Sequence, residues 1–489
     1  MGRCRVQDVV VPTCGRPNAL RRCIEGILKC SEMFDRKLDI TVADSSEEER
    51  DRTCIKDILC ALSRQYHTRI MYIGEEERRT FVEMACVGGA DPEIIDFATS
   101  GRVSKQLSRA GANRNVLLLA TAGKSFISLD DDMEASFVEL RDGFSFGGDT
   151  VWHGMESPVQ QWIYPDRETL IESINPRQVD FIRCHEELLG IECDAYGRVD
   201  GSHRWTNPSS VVVTIGGAFG DCGWGSPSRY LSFNGASLQR LMQSNGGYAE
   251  NIVSREVLQV SPEYYVANRV DDMMSGFFGA RGETTLPPFL PIGRGQDILF
   301  AQLIRSASDN ALFGYLPIAA MHNPGAGRQF WPGEICRDAA SVDLSTSMCN
   351  ILRYVSNFEV RGDDGIQRLG KRIGEVGAMS QKALCDLLED GRRDRVYKIA
   401  EKLNARMDES DMPLDSSYVK DVRHYIGRAV EGNQEGYRIV PSELLYEFER
   451  DEALVVFQKI VRMFGGLLEQ WQEIAKYAPS MRDFAWECR

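Results

Sequence analysis

The chain has 489 residues, 43% hydrophobic and 26% charged, the balance of a globular protein with more sequence than one ordinary core holds. Its formal net charge of −15 excludes a general basic grip on nucleic acid or anionic lipid, so any bound phosphate needs a local site. Fourteen cysteines without a Cys-x-x-Cys spacing exclude a simple structural zinc motif, and the size excludes a disulfide scaffold; they read as reduced thiols of a cytoplasmic protein.

The first third alternates strand and helix patterns. Asp8 to Thr13 (DVVVPT) is a β-branched run ended at a proline, entered with no signal-peptide run before it. Leu20, Ile24, Ile27 and Leu28 then recur at helical spacing on a segment opened by Pro17. Leu38 to Asp44 is the second strand, and Ser46 with Glu49 reads as a capping box before Ile55, Ile58, Leu59 and Leu62. RIMYIG is the third strand, helical patterns follow through Ala122, and Phe126 to Leu129 form the next strand. This alternation predicts an α/β fold, a Rossmann-like mixed sheet flanked by helices, with ligands at the carboxyl ends of its strands. Thr13, Asp44 and Asp130 all stand at such ends.

From Glu134 to Pro291 the pattern loosens. Trp152, Trp162, Trp205 and Trp224 fall here among many Gly, Ser and Pro residues, and short antiparallel strands such as Ser210 to Thr214 are expected. After Cys336 the composition turns helical and charged. Its last element, Ser442 to about Tyr477, carries an apolar stripe through Phe448, Leu454, Val455, Ile460, Val461, Phe464, Leu467, Leu468, Trp471 and Ile474, with Gly465-Gly466 as an expected kink. The chain therefore divides into 1–335, with 134–291 as an elaboration, and a helical C-terminal region over 336–489. No apolar run reaches the ~18 residues of a membrane span.

Asp130-Asp131-Asp132 end a buried strand. Residues i and i+2 of an extended chain share a side, so Asp130 and Asp132 can converge while Asp131 points elsewhere. Two convergent carboxylates suit a hard divalent cation such as Mg²⁺ or Mn²⁺. The alternative is a solvated Asp-rich turn.

VVVPTCGRP, VADSS, GANRN and LDDDM, in this order, resemble the GT-A-fold glycosyltransferases, and most closely their family 2 group. The matching residues are Thr13 and Arg16, Asp44, Asn113-Arg114-Asn115, and Asp130-x-Asp132, followed by GRGQDILFAQLI and AAMHNPGAGR. The resemblance implies a metal-dependent hexosyltransferase that moves a sugar from a nucleotide diphosphate, UDP before GDP or dTDP. Thr13, Arg16, Asp44, Arg114, Asp130 and Asp131 would hold the donor, and Asp130, Asp132 and His322 the Mn²⁺ or Mg²⁺. Asp297 would be the catalytic base of an inverting transfer, although Gln296 departs from the family's Glu-Asp pair. The acceptor, whether natural product, glycan or peptide, is not specified. Read by themselves, Asp297 is equally a helix cap, Asp44 an Asx-turn, and Arg16 and Arg114 surface arginines.

Other readings remain open on the residues. GDCG (Gly220 to Gly223) resembles the nucleophile motif of chymotrypsin-like cysteine proteases, a nucleotidyltransferase shares the α/β sheet and metal-binding carboxylates, and a transferase-like chain can serve as a binding module. The C-terminal apolar stripe must be covered, either by the rest of the chain or in a homodimer.

Overall fold

A computed structural model describes residues 4–104, 106–140, 152–154, 157–193, 209–270, 273–282, 284–325, 327–331, 333–358, 360–410, 416–434 and 439–488. In chain order the strands are β1 (Val6–Thr13), β2 (Asp39–Asp44), β3 (Ile70–Ile73), β4 (Ser125–Leu129), β5 (Met133–Glu139), β6 (Trp152–Gly154), β7 (Gln160–Ile163), β8 (Glu192–Cys193), β9 (Ser209–Asp221), β10 (Glu256–Val260), β11 (Tyr265–Ala267), β12 (Phe277–Ala280), β13 (Ala311–His322) and β14 (Trp486–Glu487). The helices are α1 (Pro17–Met33), α2 (Glu49–Tyr66), α3 (Glu75–Val87), α4 (Pro92–Ser100), α5 (Ala110–Ala120), α6 (Arg167–Ile174), α7 (Phe181–Leu188), α8 (Gly235–Gln243), α9 (Tyr248–Asn251), α10 (Gln296–Ala307), α11 (Leu344–Val355), α12 (Gly365–Gly377), α13 (Gln381–Ser410), α14 (Ser417–Gln434), α15 (Arg450–Ala475) and α16 (Ala478–Phe484).

The strands form one mixed sheet whose main path runs β14-β3-β2-β1-β4-β12-β9-β13-β11-β6. Its first part is parallel: β1 pairs β2 from Asp8↔Asp39 to Thr13↔Asp44, β2 pairs β3, and β1 pairs β4 with Val9↔Ile127. These β-branched runs are buried on both faces, as parallel strands require. Alternate residues serve opposite layers. Val9 and Val11 pack with Leu20 and Ile24 of α1 and Ile55 and Leu59 of α2, whereas Val10 and Ala43 pack with the helices on the other face. The chain leaves β1 toward β2 and β3, then returns to place β4 on the other side of β1. The order therefore reverses between β1 and β4, and a crevice opens there at the carboxyl ends. Thr13 and Asp130 flank it.

Beyond β4 the sheet turns mixed. β12 is antiparallel to β4 (Phe277↔Leu129), and β9 is antiparallel to β12 but parallel to β13. The short antiparallel strand expected at Ser210 to Thr214 is one part of the 13-residue β9, which runs through Asp221 because its partners β12, β13 and β10 cover most of its length. The expected capping box also differs. Glu48, not Ser46, is the N-cap of α2, and the Ser46 hydroxyl instead donates to Asp44 Oδ1 and accepts from the Gly15 N–H.

The helices after Cys336 share one core with the sheet. Val455 of α15 stays exposed, while Ile460, Phe464, Leu467 and Trp471, joined by Phe457, cluster with Val10, Ala43 and Phe126, so most of the apolar stripe is covered within the chain. Each such side chain contributes roughly 1.5–3 kcal/mol. α15 runs as one helix through Gly465-Gly466. A Cβ on Gly465 would meet Gly374 N at 2.4 Å, so the glycine permits close approach of α12. β14 adds to β3 as an antiparallel edge strand. Among the described residues, no helix is long and apolar enough to cross a membrane.

Two buried charged or titratable groups make this architecture testable. Asp8, fully buried on β1, receives Arg482 Nη2 of α16 at 2.7 Å and Lys124 Nζ at 3.5 Å. Arg482→Met should cost about 3 kcal/mol in urea denaturation, because a buried carboxylate loses its main partner, and adding Asp8→Asn should restore most of it. An Arg482→Met chain of unchanged stability would show that the pair fastens nothing. His185 of α7 is fully buried, with Nδ1 at 2.7 Å from Thr214 Oγ1 and no partner at Nε2. Burial pushes its imidazole down to about 3. The unfolded chain therefore binds the proton first, and stability falls as pH drops from about 6.5 toward 3, by about 1.4 kcal/mol per unit. His185→Asn should flatten that limb in denaturation curves at pH 7, 6 and 5; curves parallel to those of the parent chain would contradict it.

Candidate active site

At the crevice, β4 ends at Leu129 and a turn closed by Met133 N–H on Asp130 O at 2.9 Å presents the three aspartates. Asp130 and Asp132 line a cavity of about 1890 Å³, and Asp131 does not, the split expected from the sequence, although a turn and not an extended strand produces it. The turn is only partly solvated, through Asp130. Asp131 is 1% exposed and Asp132 9%. Each carboxylate meets a cation from the chain itself. Arg16, at the N-cap of α1, places Nη2 2.7 Å from Asp131 Oδ1 and Nη1 2.6 Å from Asp132 Oδ2. Thr13 donates to the other Asp131 oxygen at 2.7 Å. Arg114 Nη2 lies 2.8 and 3.1 Å from the two oxygens of Asp130.

Arg114 reaches Asp130 because α5 packs unusually close to the 289–292 segment. A Cβ on Gly111 would fall 1.8 Å from Leu290 O, and Ala112 N–H donates to Pro291 O. Its neighbours in the Asn-Arg-Asn run do other work. Asn113 bridges the ends of β1 and β2 through Thr13 O and Ser45 Oγ, and Asn115 holds the backbone of Ala98 and Phe289. The Arg114 guanidinium is buried, yet its Nε and Nη1 have no hydrogen-bond partner.

His322, the last residue of β13, directs Nε2 toward Asp132 Oδ2 at 3.6 Å, an ion-pair distance rather than a hydrogen bond. Its Nδ1 lies 2.5 Å from the backbone oxygen of Asp221, so Nδ1 carries the proton. Asp221 is in turn fixed by a bidentate pair with buried Arg255 (2.9 and 2.9 Å) and by Arg328 at 3.2 Å. Burial opposes the charge of Asp132, but His322 and Arg16 outweigh it and hold its carboxyl well below the usual range. Burial also works against protonation of His322, and Asp132 and the Asp221 carbonyl overcome it, so its basicity is raised.

Asp297 stands in the first turn of α10, where Gly295 is the N-cap, so Asp297 is not the cap. It lines the same cavity, its Oδ2 accepting from Ser275 N–H at 3.2 Å and Ser275 Oγ at 3.4 Å. The next residue, Gly276, accepts from Asp130 N–H at 3.0 Å, so two consecutive residues tie Asp297 and Asp130 to one segment.

Asp44 and Thr13 are not on this cavity. Asp44 is 3% exposed and forms the Asx-turn, accepting from Ser46 N–H at 2.8 Å, while its Oδ2 accepts from Tyr72 OH at 2.9 Å. It edges a separate depression of about 340 Å³ with Ser45, Glu47, Arg78 and Arg109. Buried Arg78 organises this region through Asp44 O, Thr99 O and Asn113 Oδ1.

Arg78, Arg255 and Asp221 were invisible as site residues in the sequence, because nothing local marks an arginine that folds inward. Only GDCG drew attention to Asp221, and for another reason. Cys222 of that motif is buried and its thiol is pushed up to about 12 by burial, which disfavours a thiolate nucleophile. Of the tryptophans, Trp224 lines the cavity and Trp162 stacks under Arg240 at 4.1 Å, away from it. Trp205 and the side chain of Trp152 lie outside the described residues. Among the described residues no group of three or more His, Cys, Asp or Glu is arranged to hold a metal ion. No protein-family model, curated protein or solved structure matches the chain.

Burial, against the pull of Arg16, raises the Asp131 carboxyl to about 7. A raised acid favours the folded chain most at low pH and loses that contribution as pH climbs from about 4 to about 7. Asp131→Asn should therefore gain stability relative to the parent over that window, read as the difference between paired denaturation curves so that His185 and other groups cancel. A pH-independent difference would contradict the buried, high-pKa placement.

Proposed function

We propose that the cavity is the donor site of a GT-A-type glycosyltransferase that takes a nucleotide diphosphate sugar, with a UDP-sugar favoured. The observation that carries this reading is the convergence of Asp130, Asp132, Asp297 and His322 on one cavity at the sheet's switch point, from three segments of the chain. The incompletely satisfied, buried guanidinium of Arg114 fits an anion at that place, and the diphosphate is the anion the reading supplies.

Asp132 and His322 would hold a Mn²⁺ or Mg²⁺ ion, a set of few protein donors typical of ions that keep water and substrate phosphates as remaining ligands. When bound, such an ion stabilises the negative charge that gathers on the departing diphosphate. Asp130 is engaged by Arg114 and orients that arginine. Asp297, in the first turn of α10 at its positive end, accepts the proton of the acceptor's nucleophile. As the nucleophile bonds to the anomeric carbon, the bond from that carbon to the diphosphate oxygen breaks and its electron pair leaves with the nucleotide. This is the inverting course. Arg16 supports a second reading: its Nη1 already sits 2.6 Å from Asp132 Oδ2, so the arginine can serve as the cation in a transfer without metal.

The test is nucleotide release from a panel of UDP-, GDP- and dTDP-sugars, with Mn²⁺ and with EDTA. Asp297→Asn should lower kcat by about 10²–10⁴ and leave nucleotide affinity within about twofold. An Asp297→Asn chain with parental kcat would remove the base, and full activity in EDTA would favour Arg16 over a metal ion.

A further inference from the structure

The cavity is too large and too basic for the donor alone. Ligand pockets usually enclose about 300–1,000 Å³, and this one encloses about 1890 Å³. In a chain of net charge −15, the described residues lining it include ten arginines and lysines against six carboxylates. The excess is concentrated away from the aspartate turn. Residues after Cys336 supply one wall of the cavity, and both carboxylates of that wall are engaged in the N-terminus of α11. Asp343 accepts from Thr346 N–H at 2.6 Å, and Glu443 accepts from Leu344 N–H at 3.0 Å. Lys402 and Arg406 come from the same wall, four residues apart on α13 and therefore on one helical face. Lys402 is exposed and has no ion-pair partner among the described residues; neither has Arg294, which precedes Asp297 on the lining.

We infer that this wall is a second subsite, for a ligand bearing an oxyanion, a phosphate or a carboxylate, gripped by Lys402, Arg406 and Arg294. That the ligand is the acceptor rests on the transferase reading; that the wall binds an anion does not. Arg294 lies three residues before the proposed base, so an acceptor anchored by its anionic group extends its nucleophile toward Asp297. The C-terminal helices thereby select the acceptor as well as complete the core.

The experiment is calorimetric titration of the full-length chain with inorganic phosphate and, separately, with succinate, each with and without saturating UDP and Mg²⁺. It is repeated on Lys402→Gln/Arg406→Gln, a pair on α13 remote from the aspartate turn. Phosphate or succinate should bind in the presence of UDP, and the preferred one of the two identifies the anionic group. The double variant should weaken that binding about tenfold, the equivalent of about 1.4 kcal/mol, while UDP affinity stays unchanged. Anions that bind only when UDP is absent would overturn the inference, because the basic lining would then be the donor's own cradle. Equal anion affinity in the parent and the double variant, or no anion binding, would overturn it too. If UDP fails to bind but the anion binds and depends on Lys402 and Arg406, the subsite stands and the donor reading falls.

Discussion

Three adjacent carboxylates cannot be buried at the end of an apolar strand unless cations come to meet them, and much of the sheet's carboxyl edge follows from that requirement. Arg16 must turn back from the first residue before α1 to reach Asp131 and Asp132. Arg114 must sit low enough on α5 to reach Asp130, which is possible only because Gly111 lets the helix press against Leu290. His322 must close the remaining side of Asp132, and β13 delivers it there with its other nitrogen pinned to Asp221. The same arrangement divides the carboxylates, since burial raises those of Asp130 and Asp131 while Asp132 is held low. Asp132 in particular keeps its charge against strong desolvation.

The parallel half of the sheet was legible because its signals are local. Short β-branched runs, a proline opening α1 and aspartates at strand ends need no tertiary information. Long-range partners were not legible. Ser46 followed by Glu49 looks like a capping box, yet the hydroxyl finds a nearer acceptor in Asp44, and the choice is made by the approach of the Gly15 loop. Gly465 also serves as a helix-packing surface, which the sequence did not disclose because the facing glycines of α12 lie some ninety residues earlier in the chain. Asp44 stands at a strand end as the pattern requires but belongs to a neighbouring depression, since its oxygens are taken by Ser46 and Tyr72. Arg78 and Arg255, both buried, carry no local mark of their role.

The C-terminal helices join the two halves of the account. Their apolar face completes the core against the sheet, and α16 fastens β1 through Asp8, so they belong to the fold rather than hanging from it. Their polar face lines the same cavity as the aspartate turn, with Lys402 and Arg406, in a strongly acidic chain.

The measurement that bears most directly on the central claim is calorimetric titration of UDP into the metal-free chain, with and without Mn²⁺, set beside the Asp132→Ala variant. The account predicts binding that strengthens with Mn²⁺ in the parent and loses that dependence when Asp132 is removed. Absence of binding for UDP, GDP and dTDP alike, or binding indifferent to both Mn²⁺ and Asp132, would contradict it and leave the aspartates as a buried structural cluster held by Arg16, Arg114 and His322.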